Sequence, residues 1–424
     1  MQGNIKTKIL WFSNAVLGEQ NVIGSGSWLH AMRDLVAHEI ELINITNSNV
    51  KDIQHFKYEN FEEFILPYYK LFNGVPSLSN INYITKIVET VNPDIIHVWG
   101  VEQYWGLLFS RGYIDRDYLL EIQGLLGSCY NVYYGGLTIT ERLKCIGVKE
   151  LIRPTSLLSI KKKYLYKRSL YEQEILSNAR YISTQSDWVR DQISFFAEPI
   201  QLYKTKISIR SDFYESAKWN IDNHVQSEYF KVFTTVSYFS PFKGFHILIK
   251  ALILLKAKYN NIVLYVAGDN ILNEIFYRKD GYKKYLTKLI NEHRLEANVV
   301  FLGRLNAQQI ASQLLQSDVF VNTSFVESFS LGAAEALYLG VPSVLSYAGA
   351  MPNFSKEKPT ALYYSPLDYV DCAAQIDRFL SDEKTALKFS KNAIESMHTS
   401  NNLTEIKNTQ LRIYKDFQKK CTQL

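Results

Sequence analysis

The sequence predicts an α/β protein made of two doubly wound domains. Three observations lead there. Short apolar runs of strand length alternate with longer segments whose apolar residues recur at helical spacing, in both halves of the chain. Residues 221–228, between the halves, are polar and irregular, as a linker is. With 424 residues and 47% hydrophobic content, the chain can fill more than one large core. The expected division is 1–220, 221–402 and a final helix at 403–424.

In the first half, residues 8–12 read as a strand, followed by a polar loop at 13–25 and a helix over 27–38. Gly24, Ser25 and Gly26 invite a dinucleotide-binding reading, but the loop before them is long, the third glycine is absent and no acidic residue ends the next strand, 41–45. A third strand at 94–98 runs into His97-Val98-Trp99-Gly100, and a fourth at 118–123 ends in Gln123-Gly124. Ligands of doubly wound sheets bind beyond the carboxyl ends of the strands, which makes His97, Trp99 and Gln123 candidate ligand contacts; a packed, hydrogen-bonded His97 reads equally well. Asp115-Arg116-Asp117 precedes its strand, the wrong end for a site, and reads as a solvated loop. Residues 142–168 carry nine cations interleaved with Leu, Ile and Tyr. That pattern suits either an anionic membrane surface or a solvated connection between helices. A strand at 179–184 and a helix at 186–196 follow.

In the second half, a strand at 229–236 leads through Tyr238 to Phe242-Lys243-Gly244 and a helix with apolar residues at 245, 248, 249, 252 and 255. Strands at 262–267, 299–302 and 319–321 follow, the second ending in Gly303-Arg304. The loops bearing Lys243, Arg304 and Glu327 should then converge on one crevice. A helix is expected from Ser328, capped by Ser328 or Ser330 and stopped by Gly340-Val341-Pro342. Glu327 precedes its N-terminus and Glu335 lies two turns in, both expected to face a solvated cleft. The residues between them are mostly small, and the unpaired N–H groups at a helix start favour phosphate. Two carboxylates for hydroxyls beside an amide nest for phosphates suit a nucleotide-sugar.

Ser324, Glu327, Phe329, Leu331, Glu335, Gly340 and Pro342 resemble the glutamate–seven residues–glutamate motif of the retaining glycosyltransferases of family four. The resemblance is strong over 231–350 and looser before 230. It implies the GT-B fold, two doubly wound Rossmann-like domains facing a central cleft, with the last helix crossing back to the first domain. It implies a catalytic role for Glu327 and Lys243. Donor contacts would come from Glu335, Arg304, Phe329, Ser330, Leu331, Ser25, Gly26 and Tyr238, with acceptor-side contacts from His97, Trp99 and Gln123. Three positions depart from the pattern: Ser330 stands for a glycine, Tyr238 for an arginine and Gln123 for a histidine. A glutamine can bond a sugar hydroxyl but cannot shuttle a proton. The same resemblance implies a nucleotide-diphospho-sugar donor used without a metal or cofactor, a glycan or lipid-linked acceptor, and a place in cell-surface polysaccharide synthesis. The rivals are a phosphorylase or epimerase of the same fold, and a non-catalytic subunit supporting a partner transferase.

Composition narrows the setting. No signal peptide and no apolar run of spanning length are visible, and the four cysteines show neither metal-site nor disulfide spacing. A cytoplasmic protein is expected, with peripheral contact to the inner face of the membrane. The net charge of +5 is too mild to suggest nucleic acid.

Overall fold

The computed structural model describes residues 6–18, 26–223, 228–275 and 279–422. The N-terminal sheet contains β1 (Lys8–Phe12), β2 (Glu41–Ser48), β3 (Gln54–Lys57), β4 (Phe61–Pro67), β5 (Ile95–Trp99), β6 (Leu119–Ile122), β7 (Tyr181–Thr184) and β8 (Gln201–Lys204). Their spatial order is β3-β4-β2-β1-β5-β6-β7-β8, with every pairing parallel except β3 against β4. The C-terminal sheet contains β9 (Phe230–Thr235), β10 (Ile262–Ala267), β11 (Val299–Gly303), β12 (Val319–Asn322), β13 (Ser343–Ser346) and β14 (Leu362–Tyr364). Its order is β11-β10-β9-β12-β13-β14, and all pairings are parallel. Both sheets are doubly wound, as the alternation of apolar runs and helical periodicity predicts. Parallel strands covered on both faces read as continuous apolar runs, and Ile9, Leu10, Trp11 and Phe12 are all fully buried.

Side-chain alternation divides the N-terminal domain into two cores. Leu10, Phe12, Val98, Leu120 and Ile182 point one way, against the helices Leu78–Val91, Trp105–Ser110 and the C-terminal end of Leu158–Asn178. Ile9, Trp11, Ile95, Trp99 and Tyr181 point the other way. There the cover is the helix Ser27–Val36 and the last helix, Leu403–Thr422, which brings Ile406, Ile413, Tyr414 and Phe417. The same face holds Glu121, whose pKa burial pushes up to about 8.

Residues 126–157 form neither a loose connection nor part of the N-terminal core. They fold into short helices: Leu126–Asn131 packs on the helix Leu158–Asn178, with the amides of Leu126 and Gly127 donating to Glu172, and the following residues dock on the C-terminal domain, where Tyr133, Leu137 and Cys145 join its core. Glu141 accepts bonds from Lys250 Nζ at 2.6 Å and Tyr285 OH at 2.7 Å. The stretch 142–168 is thus largely helical in itself rather than a connection between helices, and most of its side chains stay exposed to solvent. Its outer side still shows Leu143, Val148, Leu151, Ile152 and Tyr164, each at least 60% exposed. Among the described residues no helix is long and apolar enough to cross a membrane.

Candidate active site

The site is built at the carboxyl ends of the C-terminal strands. After β9 the chain makes a single 3₁₀ turn, Pro241–Lys243, and passes through Gly244 into the helix Phe245–Lys258. Gly244 has φ +70°, and a Cβ there would lie 1.9 Å from the carbonyl oxygen of Thr323, so only glycine lets the two loops touch. That contact fixes Lys243 beside the loop after β12. Its Nζ meets Glu327 Oε1 at 2.8 Å, with both side chains mostly buried. Burial alone would lower the Lys243 pKa, but the Glu327 carboxylate outweighs it and raises it above the usual lysine range. Tyr238 is half-exposed, its ring centre 5.8 Å from that ammonium.

Glu327 is held in turn by its own carbonyl, which accepts from the amide of Ala350 at 2.8 Å. The expected helix start moves: the helix runs Leu331–Leu339, with Ser330 as an N-cap whose side chain makes no capping bond. Ser330 has φ +73°, and its hydroxyl accepts instead from Asn322 Nδ2 at 3.1 Å. A left-handed residue cannot continue a helix, so 328–330 form a bent elbow rather than a first turn. The strain explains why glycine is usual in the motif resembled and costs about 1–2 kcal/mol in serine. Phe329 packs on Phe354, ring centres 5.8 Å apart, and Leu331 opens the helix.

The elbow bridges the two domains. Ser328 Oγ donates to the carbonyl of Gln123, and Gln185 Nε2 donates to the same carbonyl at 3.1 Å. Ser186 Oγ donates to the carbonyl of Ser328 at 2.8 Å. Gln123 thus lies opposite Glu327 across a narrow cleft.

Glu335 departs from expectation. It is 1% exposed, not solvated, and Arg210 grips it through both oxygens, Nε to Oε1 at 2.6 Å and Nη2 to Oε2 at 2.5 Å. The cause is the chain after β8, which crosses the helix Leu331–Leu339 and lays the Arg210 guanidinium over the Phe213 ring. Burial raises the Glu335 pKa while Arg210 opposes the rise. Arg210 in turn borders a cavity of about 580 Å³ that also touches Ser27, His30 and residues 306–308. Gly26 precedes that cavity's helix as its N-cap, while Ser25 lies outside the described residues. Arg304 is largely exposed and paired with Asp269 at 2.9 Å.

His97 and Trp99 are corrected as acceptor contacts. Strand parity turns both to the face covered by the last helix, and both are fully buried. His97 Nδ1 bonds Tyr414 OH at 2.9 Å, and burial drives the imidazole pKa well below normal. Neither can reach the cleft. Reading the sequence also missed Arg210, Glu102 and Cys129. Cys129 lies within electrostatic reach of both Lys243 and Glu327, its thiol pushed up to about 12 by burial.

Two parallel-sheet domains, with strand-end loops facing each other across a cleft, define the GT-B architecture of glycosyltransferases. Sucrose-phosphate synthase from Thermosynechococcus elongatus superposes over 97% of this chain and 99% of its own, with a TM-score of 0.70 at 17% identity. WaaG, a glycosyltransferase involved in lipopolysaccharide biosynthesis, covers 95% of this chain and 98% of its own at a TM-score of 0.65 and 12% identity. Anabaena HepE in complex with UDP-glucose covers 97% of this chain and 99% of its own at 0.64 and 16%. Residues 218–396 match the family model described as glycosyl transferases group 1. Among curated relatives, an uncharacterised glycosyltransferase of Bacillus subtilis is 25% identical over 42% of this chain and 46% of its own. The D-inositol 3-phosphate glycosyltransferase of Corynebacterium glutamicum is 25% identical over 55% and 56%. The chain spans about half the length of these curated relatives.

Proposed function

We propose that the protein is a retaining glycosyltransferase, moving a sugar from a nucleotide-diphospho-sugar to a glycan or lipid-linked acceptor. The observation that carries this reading is the Lys243–Glu327 pair beside the start of the helix Leu331–Leu339, facing Gln123 across the cleft. Negative charge grows on the leaving diphosphate. Lys243 and the amides at residues 329–331 stabilise it. Tyr238 supplies no second cation. Glu327 loses its lysine partner to the diphosphate as the donor enters and turns to the donor-sugar hydroxyls. The acceptor attacks on the face the phosphate leaves, and its proton passes to that phosphate. No step is assigned to a metal or cofactor. The complex of Anabaena HepE with UDP-glucose, and the involvement of WaaG in lipopolysaccharide biosynthesis, support this donor class and a role in cell-surface polysaccharide synthesis.

The exposed Leu151 and Ile152, flanked by Lys149 and Arg153, support a cytoplasmic protein resting on an anionic membrane. A second reading, a non-catalytic subunit, draws on Glu335, whose two oxygens are both held by Arg210. Calorimetry and turnover with UDP-, GDP- and ADP-sugars separate the two. Glu327→Gln should bind the nucleoside diphosphate within about threefold of the parent and lose at least about 100-fold in turnover, because its contribution belongs to the transition state. Binding without any turnover in the parent favours the subunit.

A further inference from the structure

We propose that Glu102 receives the acceptor hydroxyl in the transfer step, a task for which Gln123 beside it has no charge. This inference rests on the glycosyltransferase reading above. Glu102 lies just beyond the carboxyl end of β5, in the loop before the helix Trp105–Ser110. Its carboxyl folds back between two neighbouring strand ends. A Cβ on Gly100, where φ is +93°, would stand 2.2 Å from Oε2 and 3.4 Å from Gln123 Cδ. A Cβ on Gly124, the second residue past β6, would stand 2.7 Å from Oε1. Two glycines thus leave room for one carboxylate.

The amides of Glu102, Val101 and Gly124 face the carboxyl, but Oε2 is enclosed and completes no hydrogen bond of good geometry among the described residues. Buried acceptors without a donor are rare, and a substrate hydroxyl would supply the donor. Glu102 borders a cavity of about 240 Å³, lined among others by Tyr104, Leu107, Tyr164, Arg168 and Tyr171. Arg168 Nη2 donates to the Glu102 carbonyl at 2.6 Å, which fixes the loop. Aromatic rings and two cations, Lys167 and Arg168, beside a hydroxyl-binding carboxylate suit a sugar carrying an anionic group, such as a glycosyl phosphate.

The cradle belongs to the same cleft as the donor side. Gly124 follows Gln123, whose carbonyl accepts from Ser328, the neighbour of Glu327. Tyr238 and Cys129 each lie within electrostatic reach of Glu102, Lys243 and Glu327. The ionisable groups around Glu102 are Arg168 and Glu172 on the long helix, Cys129, and Tyr238 across the cleft; Cys129 and Tyr238 in turn face Lys243 and Glu327. Burial outweighs the nearby backbone amides and Arg168, and raises the Glu102 pKa to about 7. The ionised carboxylate accepts the hydroxyl hydrogen and aims the oxygen lone pair at the anomeric carbon. The new carbon–oxygen bond forms as the carbon–phosphate-oxygen bond breaks. The hydroxyl proton ends on the departing phosphate, and Glu102 is unchanged.

The test compares the parent with Glu102→Gln and Glu102→Asp. Affinity is measured by calorimetry for whichever of UDP, GDP and ADP binds best. Release of that diphosphate from its glucose conjugate is followed from pH 5.5 to 8.5, with water alone and with octyl β-D-glucoside as acceptor. The parent rate should rise with pH through a midpoint near 7. Glu102→Gln should lose that rise and fall about 10- to 100-fold, while its nucleotide affinity stays within about twofold. Glu102→Asp should keep a pH midpoint at a reduced rate. A Glu102→Gln variant with the parent's rate and pH profile overturns the proposal, as does one whose affinity falls in step with its rate. A parent that binds nucleotide but releases none from the sugar conjugate also overturns it. A parent that binds no nucleotide overturns the glycosyltransferase reading itself, and the proposal with it.

Discussion

Removing the Glu335 carboxylate should act first on stability. Its two oxygens and the Arg210 guanidinium form a bidentate pair, with side chains 1% and 10% exposed. Taking away one member of such a pair strands the other charge without water or partner, at a cost of about 3–5 kcal/mol. For a domain of the C-terminal one's size, each kcal/mol lowers the melting temperature by about 2–4 °C, so Glu335→Ala should melt roughly 6–20 °C below the parent. Removing both charges with apolar replacements of similar bulk, Arg210→Met with Glu335→Leu, should be close to neutral or stabilising, because no buried charge is left behind. Urea unfolding of the parent, both single variants and the double variant closes the cycle. A Glu335→Ala cost below about 1 kcal/mol, or a double variant that costs the sum of the singles, would refute the argument. The cycle also bears on ligand binding. If ribose hydroxyls take over the carboxylate, Glu335→Gln should reduce the stabilisation by saturating nucleoside diphosphate, which in the parent is about 2.7 kcal/mol at 100 times the dissociation constant.

Three other outcomes are expected. Lys243→Ala should weaken a nucleoside diphosphate at least about tenfold more than the bare nucleoside, measured by calorimetry, since the lost group is a charge paired with phosphate. Sedimentation should show binding to anionic but not neutral vesicles, weakening as salt rises, and Leu151→Ser with Ile152→Ser should reduce it. Glu121 should make the parent less stable at alkaline pH. Its folded pKa of about 8 lies above the unfolded value near 4.5, so its contribution is fully present at low pH and is lost as pH rises toward 8. Between pH 5.5 and 8.5 the loss is about 3 kcal/mol, and Glu121→Gln should abolish it in urea unfolding.

The architecture was legible because fully buried parallel strands carry unbroken apolar runs, and because the motif around Glu327 is local in the chain. What escaped was non-local. Arg210 meets Glu335 across 125 positions of sequence, with nothing near either residue to announce the other. Strand parity puts His97 and Trp99 on one face, but only the distant Tyr414 decides that this face is closed. The helix start moved because Ser330 takes a left-handed conformation that its residue type does not advertise. Glu102 reads as an ordinary polar loop residue until the glycines at 100 and 124 are seen to border it from two strands.

The last helix has a consequence for synthesis on the ribosome. Trp11, His97 and Trp99 belong to strands that emerge early, yet the side chains that cover them, Tyr414 and Phe417, are made after the whole C-terminal sheet. The first sheet therefore leaves the exit tunnel with one aromatic face covered only in part, by the helix Ser27–Val36. A nascent chain halted before residue 403 should be the form that chaperones retain and proteases cut, in the N-terminal rather than the C-terminal domain.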